Sequence, residues 1–240
     1  MLTISTVDSR PAFHDDYLPT FNRPNVTLVQ TEPHGVGNAS SKGLIVDDKE
    51  YDLDILVFGT GYRPPGEDLA EPSKSCNAVI IGRDGRTMSD KWLSEGPGSL
   101  HGLTTHGFPN LFPTGPSQAG ASASITYLFD LMARQAAHIV AEATRRSGDD
   151  GGRLVLEPTK EAEEAWVGEI VARAGWSAPL GVCLPSYMNN EGELPTGGAE
   201  ALKGARAMAY PLGINAFAKR LEEWRHQGSM EGLTVKVVAG

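Results

Sequence analysis

Residues 107 to 146, GFPNLFPTGPSQAGASASITYLFDLMARQAAHIVAEATRR, constrain the fold more than any other stretch. Leu111 and Phe112 form a short apolar run closed by Pro113. Gly115-Pro116 is a pair that neither a helix interior nor a central strand tolerates, so the chain turns there. From Ala121 onward, Ile125, Leu128, Met132, Ala136, Ile139 and Ala143 recur at spacings of three and four. That is the period of a helix with one apolar stripe against a core. The stretch reads as a strand, a glycine-proline turn and a long helix over 121 to 146. Ser117, Gly120, Ala121 and Ser122 keep the turn small, and a ligand there could reach the first helical N–H groups. Their unspent donors and partial positive charge suit an electron-rich oxygen or nitrogen. An ordinary capped helix after a loop accounts for the same residues without a ligand.

At 240 residues the chain can bury a sizeable core in one large domain or two small ones. Its formal charge of −9 argues against nucleic acid or an anionic membrane as partner. Cys76 and Cys183 form neither a disulfide framework nor a Cys-x-x-Cys motif, which fits a reducing compartment. No segment reaches the roughly 18 apolar residues of a membrane span. The first residues, MLTISTVDSRPAF, carry no basic, apolar targeting pattern. A cytoplasmic protein is expected.

In chain order, Pro11, Pro19 and Pro24 make the opening irregular. His14-Asp15-Asp16 reads as a solvated turn rather than a metal cluster, and no metal site is expected. Val26 to Val29 and Gly43 to Val46, with a turn at Asp47-Asp48, suggest a small meander. Asp52 to Phe58 reads as a buried strand running into Gly59-Thr60-Gly61, the kind of strand end at which α/β proteins place ligands. Tyr62 to Asn77 reads as a linker, and Val79 to Arg86 as a strand and hairpin around Asp84-Gly85. Thr159 is a plausible N-cap for a helix to about Ala174. Residues 175 to 213 read as mostly irregular; a helix over 214 to 227 stopped by Gly228, then a strand through Leu233, Val235 and Val237, close the chain.

Together, NRPNVTLV at 22 to 29, DILVFGTGY at 54 to 62 and GFPNLFPTGP at 107 to 116 resemble the C-terminal part of Baeyer–Villiger monooxygenases. CLPSYMNNEGE at 183 to 193 and FAKRLEEWR at 217 to 225 resemble the tail of the family's larger members. The resemblance implies a mixed α/β fold in three parts. Residues 1–62 match the end of the NADPH-binding domain, 63–147 the C-terminal part of the FAD-binding domain, and 148–240 a helical and irregular extension. It implies FAD and NADP as cofactors, yet the chain holds no G-x-G-x-x-G turn, so tight binding of either by this chain alone is not expected. The family's catalytic arginine lies upstream of the part represented here, and no arginine of this chain inherits its role.

Two function classes follow. One is the C-terminal part of a flavin monooxygenase acting on a ketone or similar apolar carbonyl compound, with FAD and NADPH domains supplied elsewhere. The other is a standalone truncated relative used for cyclisation, isomerisation or hydrolysis, or a non-catalytic binding subunit. The resemblance places Gly59, Thr60, Gly61, Gly115, Pro116 and Ser122 near the cofactor, and Tyr62, Ser117, Gln118 and Ser124 near the substrate. His101 and His106 are the acid–base candidates, because histidine titrates near neutrality; two loop histidines with no task are the alternative. Strands deprived of neighbours would leave apolar faces exposed, so a rearranged compact core, a homodimer or a complementary N-terminal chain is expected to cover them.

Overall fold

The computed structural model describes residues 15–31, 34–59, 71–148, 152–175 and 197–238. The chain divides into two compact units, Arg10–Tyr62 and Arg63–Gly240 with Met1–Ser9.

The smaller unit carries a one-turn helix, α1 (Tyr17–Thr20), and the expected meander. Strands β1 (Asn38–Ala39), β2 (Gly43–Val46) and β3 (Lys49–Asp52) pair antiparallel in that order. Val46 faces Lys49 across a two-residue turn in which Asp47 and Asp48 take φ of 45° and 63°, the left-handed pair that matches strand twist. Val26 to Val29 is not a strand. The buried strand expected over 52 to 58 is also absent: β3 ends at Asp52, and Ile55, Val57 and Phe58 are 79%, 82% and 77% exposed. An apolar run of this kind becomes a buried strand only with neighbours on both edges, and none pairs with it among the described residues.

The larger unit is built on helices. Helix α2 (Pro72–Ser75) precedes a minimal hairpin in which Ile81 bridges Thr87. Helix α3 (Met88–Glu95) starts at Thr87, whose side chain accepts from the Asp90 N–H while Asp90 returns the bond to the Thr87 N–H. This reciprocal cap fixes the helix start. Helix α4 (Ile125–Ser147) is the long helix read from periodicity, with Leu128, Met132, Ile139 and Ala143 buried. It begins four residues later than expected because Ser124 takes the cap position, its Oγ accepting from the Tyr127 N–H. Strand β4 (Arg153–Pro158) is followed by α5 (Lys160–Val171), capped by Thr159 as anticipated.

Helix α6 (Gly198–Arg206) lies in the stretch read as irregular; residues 176–196 lie outside the described residues. Helix α7 (Gly213–Gln227) is stopped by Gly228 in the left-handed conformation, and β5 (Leu233–Val238) pairs antiparallel with β4. Phe217, Leu221 and Trp224 of α7 pack with Leu128 and Met132 of α4, Trp166 and Ile170 of α5, and Leu156 of β4. Each such buried side chain contributes about 1.5–3 kcal/mol relative to exposure. Met88, Trp92 and Phe108 form a second, smaller core.

Leu111 and Phe112 form no strand. Asn110 stands in for one: at φ 60° its N–H donates to Leu156 O at 2.8 Å, and its side chain bonds Leu156 N–H and Leu154 O. One asparagine thus occupies the edge of β4, and the chain peels away.

Candidate functional site

The loop between α3 and α4 is held by its own polar groups. Gln118, 2% exposed and at φ 57°, is fully engaged. Its Nε2 donates to Arg206 O at 2.8 Å and Pro97 O at 3.2 Å, and its Oε1 accepts from Ser99 Oγ. Its N–H donates to Met208 O at 2.9 Å, and its carbonyl accepts from Trp166 Nε1 at 3.0 Å. Ser117 Oγ donates to Ala207 O and the Tyr210 N–H to Ala119 O. The segment after α6 therefore straps down residues 117–119. Gly102 at φ 68° and Gly120 admit this closeness: a Cβ on them would come within 2.8 Å of Ala119 Cβ and 2.6 Å of Ile214 Cδ1.

On either side of the strap the surface opens. A Cβ at Gly115 would meet nothing within 4 Å, and Pro116 and Ala121 are exposed. Ser122 Oγ accepts from the Ser124 N–H, while Ser124 caps α4. Beside them Ile125, Tyr127 and Phe129 are 45%, 42% and 42% exposed. Ser122 and Ser124 thus adjoin an exposed face of apolar side chains at the start of α4, while Gly115 and Pro116 lie open on the other side of the strap. Such a face can bind and orient a polar-headed apolar molecule, but it holds no acid or base. Of the other sequence candidates, Gly59 is exposed in the smaller unit, and Thr60, Gly61 and Tyr62 lie outside the described residues.

The two histidines occupy different environments. His101 is 5% exposed at φ 57°, edge-on to Trp166 and Trp224 with ring centroids 4.9 and 5.5 Å away. Burial, with Arg220 nearby, pushes its pKa down to about 3, so at neutral pH it is an uncharged hydrogen-bonding group. His106 is half-buried, with Nδ1 3.0 Å from Pro158 O and 3.7 Å from Glu157 Oε1. Since the carbonyl can only accept, Nδ1 carries the proton and Nε2 is left as the acceptor. His106 borders cavities of about 370 and 350 Å³ that also involve Arg83 and Lys160. His101 borders a different cavity, of about 280 Å³.

Sequence reasoning did not single out the buried ion pair beneath this loop. Lys91 Nζ lies 2.8 Å from both Glu163 oxygens, 2.6 Å from Thr105 Oγ1 and 2.8 Å from His106 O. The two side chains are 1% and 0% exposed. Glu163 also accepts from the His106 N–H at 2.6 Å and from Thr105 Oγ1 at 3.0 Å. Burial pushes the Lys91 ammonium below its ordinary value, while Glu163 opposes the shift. The pair joins α3 and α5 to the loop. Carboxylates of Glu95, Glu163 and Glu164 gather within 4.8 Å of one another, but their oxygens are taken up by Lys91, Lys160, Arg86 and Arg206.

These residues do not fit the diphosphate of FAD or NADP. The starts of α3, α4 and α5 are filled by their own caps from Thr87, Ser124 and Thr159, and no glycine-rich turn opens a helix after a strand among the described residues. The face at Gly115 to Ser124 is a wall, not a dinucleotide cradle.

No protein-family model matches the chain. It is 38% identical over 232 residues to the FAD-binding monooxygenase ausC of Emericella nidulans, covering 96% of this chain and 34% of the relative. It superimposes on the structure of the polycyclic ketone monooxygenase from the thermophilic fungus Thermothelomyces thermophila with a TM-score of 0.85 and 41% identity, covering 96% of this chain and 35% of that one. A steroid monooxygenase bound to NADP matches with a TM-score of 0.63 and 25% identity, over 94% of this chain and 37% of that one. The chain spans about a third of the length of the relatives it matches. Its homologues are FAD-binding, Baeyer–Villiger-type monooxygenases, and the chain corresponds to a C-terminal portion of them.

Proposed function

We propose that this chain supplies the C-terminal wall of a Baeyer–Villiger-type active site acting on a ketone or similar apolar carbonyl compound, with the FAD and NADPH domains supplied elsewhere. The observation that carries this is the outer face of α4. Ile125, Phe129 and Val140 are 45%, 42% and 46% exposed although the apolar stripe beside them, from Leu128 to Ala143, is already buried. A helix apolar on two faces is built to be covered twice. When bound, FAD and NADPH would supply the redox chemistry. This chain would hold the wall beside them: Ser122 and Ser124 present oxygens at the start of α4, Gly115 and Pro116 leave room for an apolar body, and Ser117 and Gln118 keep the loop in place. His106 is the group with an acceptor nitrogen available for proton transfer in its cavities.

The purified chain is expected to be colourless and to oxidise NADPH at background rate. Mixed with a separately produced dinucleotide-binding portion of a polycyclic ketone monooxygenase, it should form a stable complex with ketone-dependent NADPH consumption. Stoichiometric flavin on the chain alone would overturn the reading, as would a monodisperse homodimer by light scattering that excludes the added portion. In the complex, Gly115→Phe or Ala121→Phe should lower ketone-dependent turnover about 10²-fold, the usual cost of a misplaced reactant. The side chains enter open space, so the melting temperature of the chain alone should not change.

A further inference from the structure

The loop between α3 and α4 rests on an aromatic stack. Trp166 of α5 and Tyr210, between α6 and α7, are both buried, with ring centroids 5.0 Å apart and planes inclined by 6°. Each is tied to the loop: Trp166 Nε1 donates to Gln118 O at 3.0 Å, and the Tyr210 N–H to Ala119 O at 2.8 Å. Stacking by itself is ordinary packing for two rings. What distinguishes this pair is where its two polar hydrogens go. The indole N–H meets an amide carbonyl, which accepts a hydrogen bond but not a proton. The phenol O–H meets Glu169 Oε1 at 3.0 Å, a carboxylate within reach for proton transfer that borders the half-open cavity of about 280 Å³.

That asymmetry has a redox meaning. A tryptophan that loses an electron beside a carbonyl keeps its proton and stays a radical cation, a strong oxidant. A tyrosine that loses an electron beside a carboxylate sheds its proton and settles as a neutral phenoxyl radical. His101 and Phe217, two further rings beside Trp166 with centroids 4.9 and 6.3 Å away, are harder to oxidise than tyrosine. An electron hole on Trp166 therefore runs downhill to Tyr210.

We propose that Trp166, Tyr210 and Glu169 form a relay that carries a stray one-electron oxidising equivalent from the α3–α4 loop to the solvent edge of α5. A peroxyl radical takes one electron from Trp166 and leaves as the hydroperoxide anion. An electron then passes from Tyr210 to Trp166, restoring the indole, while the phenol proton moves to Glu169. A thiolate from solution returns the electron, becoming a thiyl radical, and Glu169 returns the proton. The use of such a relay rests on the redox site proposed above, but the electron transfer itself needs neither flavin nor ketone, so the two fail separately.

The test uses the full chain with Cys76→Ser and Cys183→Ser and a ruthenium polypyridyl photo-oxidant tethered at Pro116→Cys, an exposed position of the loop. After a laser flash with an electron-accepting quencher, transient absorption should show an indolyl radical cation replaced by a phenoxyl radical in a first-order step. Its rate should not depend on protein concentration and should fall in heavy water. Tyr210→Phe keeps the stacked ring and should abolish the phenoxyl signal while the indolyl signal persists. Glu169→Gln keeps an acceptor oxygen but not a base, and should slow the step at least about tenfold while leaving the melting temperature unchanged. An absent indolyl signal, a phenoxyl signal that survives Tyr210→Phe, a rate that rises with protein concentration, or an unchanged rate in Glu169→Gln would overturn the proposal.

Discussion

Replacing Lys91 by alanine is expected to destabilise the chain by about 3–5 kcal/mol, the cost of leaving a buried charge without its partner. Glu163 is wholly buried, and three of its neighbours were arranged to receive a carboxylate: the ammonium of Lys91, the hydroxyl of Thr105 and the N–H of His106. Without that ammonium, the carboxylate keeps only the half-exposed Lys160, 3.5 Å from Oε1, and must either stay charged in a poor medium or take up a proton, and both lower stability. The double variant Lys91→Met/Glu163→Gln should recover most of the loss. It removes both charges, and the Gln carbonyl can still accept from the His106 N–H. Urea unfolding followed by circular dichroism measures both. A loss below about 1 kcal/mol for Lys91→Ala would show that water reaches the pair.

The second large effect is with acid. Below the ordinary histidine pKa of 6.5 the unfolded chain protonates residue 101, whereas the folded chain resists until about 3. The unfolded state therefore binds more protons throughout that window, and stability falls as pH falls. The slope approaches about 1.4 kcal/mol per pH unit. Between pH 6.5 and 5 the loss should be about 1.5–2 kcal/mol. The carboxylates held low by arginine or lysine, Glu95 and Glu142 at about 2 together with Glu157 and Glu164, lose their contribution only below about 4.5, so the upper window isolates the histidine. His101→Asn keeps a residue tolerant of positive φ and should flatten the profile there. Urea midpoints at pH 6.5 and 5 decide it; an unchanged slope in the variant would place the proton uptake elsewhere.

Periodic and punctuated features were legible from sequence. Helices α4, α5 and α7, the Thr159 cap, the Gly228 stop and the Asp47-Asp48 turn all follow from local chemistry, and local chemistry survives whatever surrounds it. What failed depended on neighbours. The run Leu53 to Phe58 has a strand's composition, but composition cannot supply flanking strands. Leu111-Phe112 has the same limit, because Asn110 takes the edge first. Strand β4 was not legible because RLVLEP is a short apolar run between a linker and an N-cap, and its partner β5 lies some 75 positions away. At the candidate site, the open face at Gly115 to Ser124 followed from small residues and a helix start. The Lys91–Glu163 pair did not, since a lysine on a short helix is taken as solvated unless its burial is known. Gln118 is a related case: its polar side chain suggested a ligand contact, and the fold employs it as a strap.

The pairing of β4 with β5 has a consequence for biosynthesis. Pro158 faces Leu233 and Arg153 faces Val238, so the hairpin closes over some 75 to 85 intervening positions. At about 5–20 residues per second, a ribosome leaves the apolar edge of β4 waiting about 4 to 17 s for its mate. During that interval Leu154 and Leu156 are available to any passing strand, and a chaperone that engages extended apolar segments would have its main opportunity there.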